Sequence, residues 1–143
     1  MSLLMRVMGL DPGDKRTGVA ISDPLGWTAQ GKKVIESSSF QDIIKEVKEL
    51  IEQYEVEKII VGLPRNMDGS LGERAQRVEK FIEELKSQVD IPVKAWDERL
   101  STAQAERTLL EADLSRQRRK QVIDKMAAVM ILQNYLDQQT KNS

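Results

Sequence analysis

The stretch "VMGLDPGDKRTGVAISD", residues 7–23, predicts how the fold begins. An apolar run ends at Asp11, a Pro-Gly turn follows, and a second run carries Val19 and Ile21. A phosphate-binding glycine loop would lead into a helix, but this second run has no helical period and is rich in β-branched residues. The stretch therefore indicates a β-hairpin, with the carboxylate of Asp11 placed where the first strand meets the turn.

The remaining sequence predicts a mixed sheet covered by helices. Further strands are predicted for "KKVIES" (32–37), "KIIVGLP" (58–64) and "IPVKAWDE" (91–98). Apolar residues at helical spacing predict helices over 39–55, 73–89 and 119–139, and Ser101 with Gln104 forms a capping-box pattern that starts another. Right-handed crossovers make the strands after the first two helices parallel to the first. We expect an α/β fold with a five-stranded sheet, three strands antiparallel and then two parallel.

Length and composition limit what the chain can be. Its 143 residues favour one domain over 1–143, with residues 1–4 expected to be partly vector-derived. No apolar run reaches the roughly 18 residues of a membrane span and no leader precedes the first strand, so we expect a cytoplasmic protein. The chain has no histidine and no cysteine. This excludes a Ser-His-Asp triad, a thiolate nucleophile and a zinc site with histidine or cysteine ligands.

Acidic residues fall at three places that the predicted fold brings together. Asp11 ends the first strand and Asp97 and Glu98 end the last one, so both sets emerge at the edge of the sheet where ligands bind in such folds. Asp124 lies in the last helix, and the positions that share its face are all apolar. Those positions are Ala127, Ala128, Ile131, Leu132 and Tyr135. Asp124 is therefore predicted on the face that packs against the protein.

Each acid also has a simpler interpretation. Asp11 is a common residue before a turn, a charged strand end is often solvated, and Asp124 is suited to the first turn of a helix or to an ion pair with Lys120. Three converging carboxylates would, however, repel one another unless a cation neutralised them. Oxygen ligands alone select Mg²⁺ or Mn²⁺. One or two such ions would support attack of water on a phosphodiester.

Four stretches resemble the motifs of the YqgF/RuvX family: "LDPGDKRTGVAISD", "VGLPRNMDGSLG", "WDERLST" and "IDKMAAVMILQNYLD". They occur in the family's order and cover nearly the whole chain. The resemblance implies an RNase H-like fold, a cytoplasmic bacterial protein and a nuclease that hydrolyses phosphodiester bonds. It implies a role in 5′-end maturation of pre-16S ribosomal RNA, with Holliday junction resolution as the earlier proposal for the family.

The resemblance also implies which acids are catalytic and bind the metal. The family's first-strand acid falls on Asp11, its acid in the "DER" block on Glu98, and its last-helix acid on Asp124. Neighbouring side chains on a strand point to opposite faces, so Asp97 stays an alternative to Glu98. Established junction resolvases place two acids one turn apart on the last helix, whereas Gln121 and Ala127 occupy those positions here. This difference weakens the resolvase alternative.

Several basic residues are candidates for binding substrate. Lys15 and Arg16 lie on the hairpin turn, Arg65 and Asn66 follow the fourth strand, and Arg99 follows the paired acids. The run "SRQRRK", residues 115–120, contributes Arg116, Arg118 and Arg119 and is suited to contacts with a phosphate backbone. Each of these groups has an ordinary alternative as solvated turn or helix-start residues. Both tryptophans, Trp27 and Trp96, are expected to pack in the core rather than to stack on bases.

Other functions stay open at this point. An actin-like ATPase also begins with a strand, an Asp-x-Gly turn and a second strand, but it uses two related domains. A non-catalytic nucleic-acid-binding factor for ribosome assembly would keep the fold without the chemistry. The expected partners are an rRNA precursor or branched DNA and pre-ribosomal particles, with no membrane, and the chain is expected to be a monomer or a homodimer.

Overall fold

A computed structural model describes residues 6–64, 72–97 and 116–141, and the side chains within those ranges except for 116–122, 140 and 141. The described residues form five strands and three helices. The strands are β1 (Arg6–Pro12), β2 (Arg16–Ser22), β3 (Ala29–Glu36), β4 (Val56–Leu63) and β5 (Val93–Asp97). The helices are α1 (Phe40–Tyr54), α2 (Glu73–Gln88) and α3 (Arg116–Lys141).

The strands form one mixed sheet in the order β3-β2-β1-β4-β5. β1 pairs antiparallel with β2, and β2 antiparallel with β3, whereas β4 lies parallel to both β1 and β5. The predicted arrangement of three antiparallel and two parallel strands is therefore confirmed. The pairing of β2 with β3 shifts register between Val19 and Ala20.

Several element boundaries differ from the prediction. β3 begins at Ala29 rather than residue 32, because the pairing with β2 continues to Ser22 opposite Ala29. α3 begins at Arg116 rather than residue 119, so the basic run is helical from that residue onward. The additional helix predicted to begin at Ser101 lies outside the described residues.

The larger core lies between the sheet and helices α1 and α2. Alternation along the strands directs Met8, Leu10 and Val61 to this face, where they pack against apolar residues of both helices. Ser39 caps α1 by accepting a hydrogen bond from the Asp42 N–H, and Glu55, which has positive φ, follows the last helical residue as the C-cap. The predicted apolar stripe of α1 is buried at Ile43, Ile44, Val47 and Leu50.

Helix α3 packs alone, among the described helices, on the opposite face of the sheet. Its buried residues contact Val7, Ala20 and Ile60 of the strands. The helix approaches the sheet closely because two strand positions are glycines. A Cβ on Gly9 would lie 2.7 Å from the Cβ of Leu132, and one on Gly18 would collide with the main-chain carbonyl of Asp124.

The two tryptophans have different environments. Trp96 packs edge-to-face against Tyr135 at a centroid distance of 5.3 Å, and its ring N–H donates to the Asn134 side chain. Trp27, in contrast, is 72% exposed on the connection between β2 and β3, so its predicted place in the core is wrong. The connection is held by Asp23, whose carboxylate accepts from the backbone N–H groups of Leu25, Trp27 and Thr28. The backbone fixes the loop without burying the ring.

Within the part of the chain that the structure covers, no helix combines the length and the apolar character needed to cross a membrane.

We expect Gly18→Ala to lower the free energy of unfolding by about 3 kcal/mol, because the added methyl group forces the backbone of α3 away from the sheet. Gly31→Ala is the matched control, since a Cβ there meets only the flexible side chain of Lys125 and one methyl of Val129. Urea denaturation of both variants measures the difference. Equal losses in the two variants would contradict the close approach at Gly18.

We expect Asp23→Ala to lower the free energy of unfolding by about 1 kcal/mol at neutral pH. The hydrogen bond from the Thr28 N–H, followed by those from Trp27 and Leu25, holds the pKa of Asp23 below its ordinary value of 3.8. A depressed folded-state pKa stabilises the protein above the ordinary value, and this stability is lost as the pH falls through the folded-state pKa. The difference between wild type and variant should therefore shrink below pH 3.8 in acid urea titrations. A difference that grows on acidification would contradict this origin.

Candidate active site

Asp11 is a buried carboxylate near the carboxyl end of β1. Its side chain is only 2% exposed, and in the antiparallel pairing it lies opposite Gly18 of β2. Side chains alternate along a strand, so Asp11 shares a face with Val7 and Gly9, both of which contact α3. The strand therefore directs this acid toward the helix that carries Asp124.

Asp124 lies directly over the residue that pairs with Asp11. Its main-chain oxygen packs on Gly18, and the following turns of α3 are buried at Ala127, Ala128 and Ile131. The predicted packing face of the helix is therefore confirmed. The close contact at Gly18 brings together two acids that are far apart in sequence, one from a strand and one from a helix.

Arg16 contacts Asp124 at the start of β2. Its Nε donates to a carboxylate oxygen of Asp124 at 3.2 Å, and the two side chains are 27% and 22% exposed. Alternation along β2 places Arg16 on the same face as Gly18, which is why it reaches α3 rather than α1 or α2. An arginine predicted to bind substrate thus lies beside a predicted catalytic acid.

Arg74 of α2 contacts the end of β1 and Arg77 contacts the β1–β2 connection, and sequence reasoning missed both. An Nη of Arg74 lies 3.7 Å from an Asp11 carboxylate oxygen and donates to the Pro12 carbonyl at 3.3 Å. Arg77 donates to the Gly13 carbonyl at 2.9 Å and to the Ser38 carbonyl at 3.0 Å. The signal available in the sequence was their position in the first turns of the helix after the fourth strand, at the same edge of the sheet as Asp11.

The register of β5 places Asp97, one of the two candidate acids of the last strand. Asp97 pairs with Leu63 of β4. Because side chains alternate along a strand, Asp97 shares its face with Val93, which belongs to the core beneath α1 and α2. Trp96 points the other way and contacts Tyr135 of α3. Asp97 is therefore on the opposite face of the sheet from Asp11. Glu98 lies outside the described residues.

The other predicted substrate-binding residues are described only in part. Lys15 is exposed on the connection between β1 and β2. Arg65, Asn66 and Arg99 lie outside the described residues. Arg116, Arg118 and Arg119 are in the first turn of α3, and their side chains are likewise not described. The helix begins eight residues before Asp124, which is about 12 Å along its axis.

The donor set of Asp11 and Asp124 fits a hard divalent cation. Both supply carboxylate oxygens, which Mg²⁺ and Mn²⁺ prefer, and neither histidine nor cysteine is present in the chain to favour a softer metal. Within residues 6–64, 72–97 and 116–141, no cluster of three or more acids is close enough to hold an ion. The third acid that the sequence predicts, Glu98, is not among those residues.

Comparisons with known proteins give one consistent family. A family model described as "RuvX: Holliday junction resolvase" matches residues 5–138. Relatives that carry the name "Putative pre-16S rRNA nuclease" include proteins from three organisms. The one from Halothermothrix orenii is 60% identical over 96% of this chain and 98% of its own length. The one from Listeria innocua is 59% identical over 93% of this chain and 98% of its own length. The one from Desulforamulus reducens is 54% identical over 96% of this chain and 100% of its own length.

Solved structures with the same fold include RuvC of Thermus thermophilus. In complex with a Holliday junction substrate, that protein matches 97% of this chain and 98% of its own length, with a TM-score of 0.60 and 15% sequence identity. A second structure of the same RuvC covers 96% of this chain and 97% of its own, with a TM-score of 0.57 and 17% identity. The expected RNase H-like fold is therefore confirmed.

We expect Arg77→Ala to lower the free energy of unfolding by about 1–2 kcal/mol, because the guanidinium joins two backbone carbonyls from different connections. It also lies over the Phe40 ring at 5.3 Å, a packing contact that alanine would remove. Lys80→Ala, at an exposed position one turn later on α2, is the matched control. Chemical denaturation of both variants tests this, and equal losses would show that the Arg77 contacts do not stabilise the fold.

Proposed function

Because this chain belongs to the RuvX family, we propose that it is a divalent-metal-dependent nuclease that processes the 5′ end of pre-16S rRNA in the cytoplasm. The family membership confirms the resemblance seen in the sequence. The family description and the relatives' name both denote enzymes that cleave nucleic acid, so the predicted enzyme class, a phosphodiester hydrolase, is confirmed. Metal dependence and the rRNA substrate go beyond this enzyme class and are our proposal.

The observation that carries the proposal is the burial of Asp11 opposite Gly18, the residue on which the main chain of Asp124 packs. A carboxylate that is 2% exposed is costly to bury unless a cation neutralises it. This acid also lies beside a second acid on a different element, joined through the contact at Gly18. An acid that served only to form the β1–β2 turn would need neither its burial nor its placement beside α3.

Asp11, Asp124 and Glu98 are the residues that would hold the ion or ions. When bound there, Mg²⁺ or Mn²⁺ would neutralise the acids, lower the pKa of a water molecule and stabilise charge on the phosphate. The fold positions these ligands. Asp11 is held by the pairing of β1 in the sheet, and the packing of α3 on Gly18 sets the distance of Asp124 from the sheet. Arg16 and Arg74 supply positive charge beside the acids, where a scissile phosphate would lie.

The proposal of an RNA substrate rests on the relatives and on the charge distribution. Proteins 54–60% identical to this chain are named for pre-16S rRNA. Lys15, Arg16, Arg65, Asn66 and Arg99, with the basic start of α3, are proposed to contact the phosphate backbone. Pre-ribosomal particles are the proposed setting for such a substrate.

Holliday junction resolution is the second candidate, because the family description names it. Cutting a junction requires two sites related by a two-fold axis, hence a dimer. The last helix argues against it: the positions three residues before and after Asp124 are Gln121 and a buried Ala127 rather than a second acid. A binding factor without catalysis is a third candidate. It has no need of a buried acid on the face of the sheet that α3 covers, where Asp11 lies.

We expect wild-type protein with Mn²⁺ to cleave a pre-16S rRNA fragment, and Asp11→Asn and Asp124→Asn to lower cleavage by about 100-fold or more, since each removes a metal ligand. The panel includes single-stranded RNA, single-stranded DNA and a four-way junction, and gel electrophoresis reads the products. Asp137→Asn is the matched control, because Asp137 lies on α3 as Asp124 does but contacts only Gln133 among the described hydrogen bonds.

Unchanged cleavage in a clean Asp11→Asn preparation would contradict the proposed metal site. Preferred cleavage of the four-way junction by a dimeric protein would favour the resolvase alternative. Binding that survives Asp11→Asn, with no cleavage of any substrate by wild type, would favour the non-catalytic factor.

A further inference from the structure

Each of the two described acids of the site contacts an arginine. Arg16 Nε donates to Asp124 at 3.2 Å, and Arg74 Nη lies 3.7 Å from an oxygen of Asp11. The arginines come from different elements, β2 and α2, so the two contacts are not a by-product of one local turn. These guanidinium groups place positive charge beside both carboxylates, where a divalent ion would also lie.

We propose that Arg16 and Arg74 compete with the divalent ion for the carboxylates of the site. Once the ion is bound, these arginines become available to bind phosphate. This rests on the proposed function, because it takes Asp11 and Asp124 as metal ligands. A carboxylate oxygen that accepts a guanidinium N–H at 3.2 Å has a lone pair engaged that a metal ion would otherwise use. A metal ion bound through this oxygen would compete with Arg16 for it, and the two positive charges beside Asp124 would repel each other.

The exposure of the side chains supports exchange rather than a permanent ion pair. Arg16 and Asp124 are 27% and 22% exposed, and Arg74 is 40% exposed, so each guanidinium can leave its acid and remain solvated. An ion pair that still reaches solvent contributes little to stability. The free energy lost when it breaks is therefore smaller than the free energy that metal coordination can supply. Ion pairs that were fully buried would instead oppose the exchange.

Asp11 differs from Asp124 because its own side chain is almost fully buried. Its contact with Arg74 is longer than a hydrogen bond, and the same guanidinium donates to the Pro12 carbonyl at 3.3 Å. Arg74 is therefore anchored by the backbone next to Asp11 and supplies charge without occupying an oxygen at bonding distance. We accordingly expect the stronger competition at Arg16.

The exchange couples the metal to the substrate. An arginine that the metal displaces from Asp124 remains attached to β2, at the edge of the sheet where the phosphate would lie, and its planar fork is suited to phosphate. Binding of the metal should then raise the affinity for a phosphate backbone, and a bound phosphate backbone should raise the affinity for the metal by the same factor.

The test is the affinity for Mn²⁺ alone, measured by electron paramagnetic resonance of the free ion and by calorimetry on the full chain. We expect Arg16→Gln to bind Mn²⁺ about two- to fivefold more tightly than wild type, since the competing charge is gone. Arg16→Lys keeps the charge and should bind as wild type does. Lys33→Gln is the matched control, because it removes a half-exposed ion pair of the same sheet, with Glu46, away from the site acids.

Melting curves give a second readout that does not need cleavage. Without metal, Arg16→Gln should melt no more than about 2 °C below wild type, because it loses one partly exposed ion pair with Asp124. Saturating Mn²⁺ should raise its melting temperature by more than that of wild type, since a ligand stabilises according to its affinity. Circular dichroism at low temperature verifies that each variant is folded.

The outcomes separate this inference from the function on which it rests. If Asp124→Asn weakens Mn²⁺ binding while Arg16→Gln binds no more tightly than wild type, the metal site stands and the exchange is wrong. If Arg16→Lys binds as tightly as Arg16→Gln, charge competition is not the cause and the exchange is again wrong. If wild type and Asp124→Asn bind Mn²⁺ alike or not at all, the proposed metal site is wrong, and the exchange with it.

Discussion

The close packing of α3 on the sheet is the constraint on which the candidate site depends. The axis of this helix can approach β1 and β2 only because Gly9 and Gly18 leave room for its backbone. The contact at Gly18 involves the main chain of Asp124, so the residue that sets the height of the helix also fixes the position of an acid. Packing and chemistry therefore rest on the same few atoms, and a larger residue at Gly18 would disturb both.

Much of the fold follows from the sequence because its signals are local and strong. The alternation in β1 and β2 and the apolar period of α1 predicted their type and their buried faces, and the parallel pairing of β4 follows from the handedness of crossovers. The start of β3 was missed because it is set by pairing with β2, which extends beyond its apolar residues. Trp27 was misplaced for a related reason: Asp23 fixes its loop through backbone hydrogen bonds, and no apolar pattern records such contacts.

The site was predicted where acids follow strands or lie on an apolar helix face, as Asp11 and Asp124 do. The arginines of α2 were not predicted, because their proximity to Asp11 depends on the orientation of that helix over the end of β1. No sequence pattern distinguishes a helix arginine that reaches a site from one that is only solvated. Positions such as Arg74 come from tertiary geometry, whereas the acids are marked by their place within an element.

The edge position, the charge and the irregular pairing of β3 limit how copies of this chain can associate. Among the described strands β3 lies at one edge of the sheet, and it carries Lys32 and Lys33 next to the register shift opposite Val19 and Ala20. Charged side chains and an irregular ladder make an outer strand a poor template for backbone pairing. Growth of the sheet from one molecule into another is therefore disfavoured along β3, and this edge is protected against aggregation by strand addition.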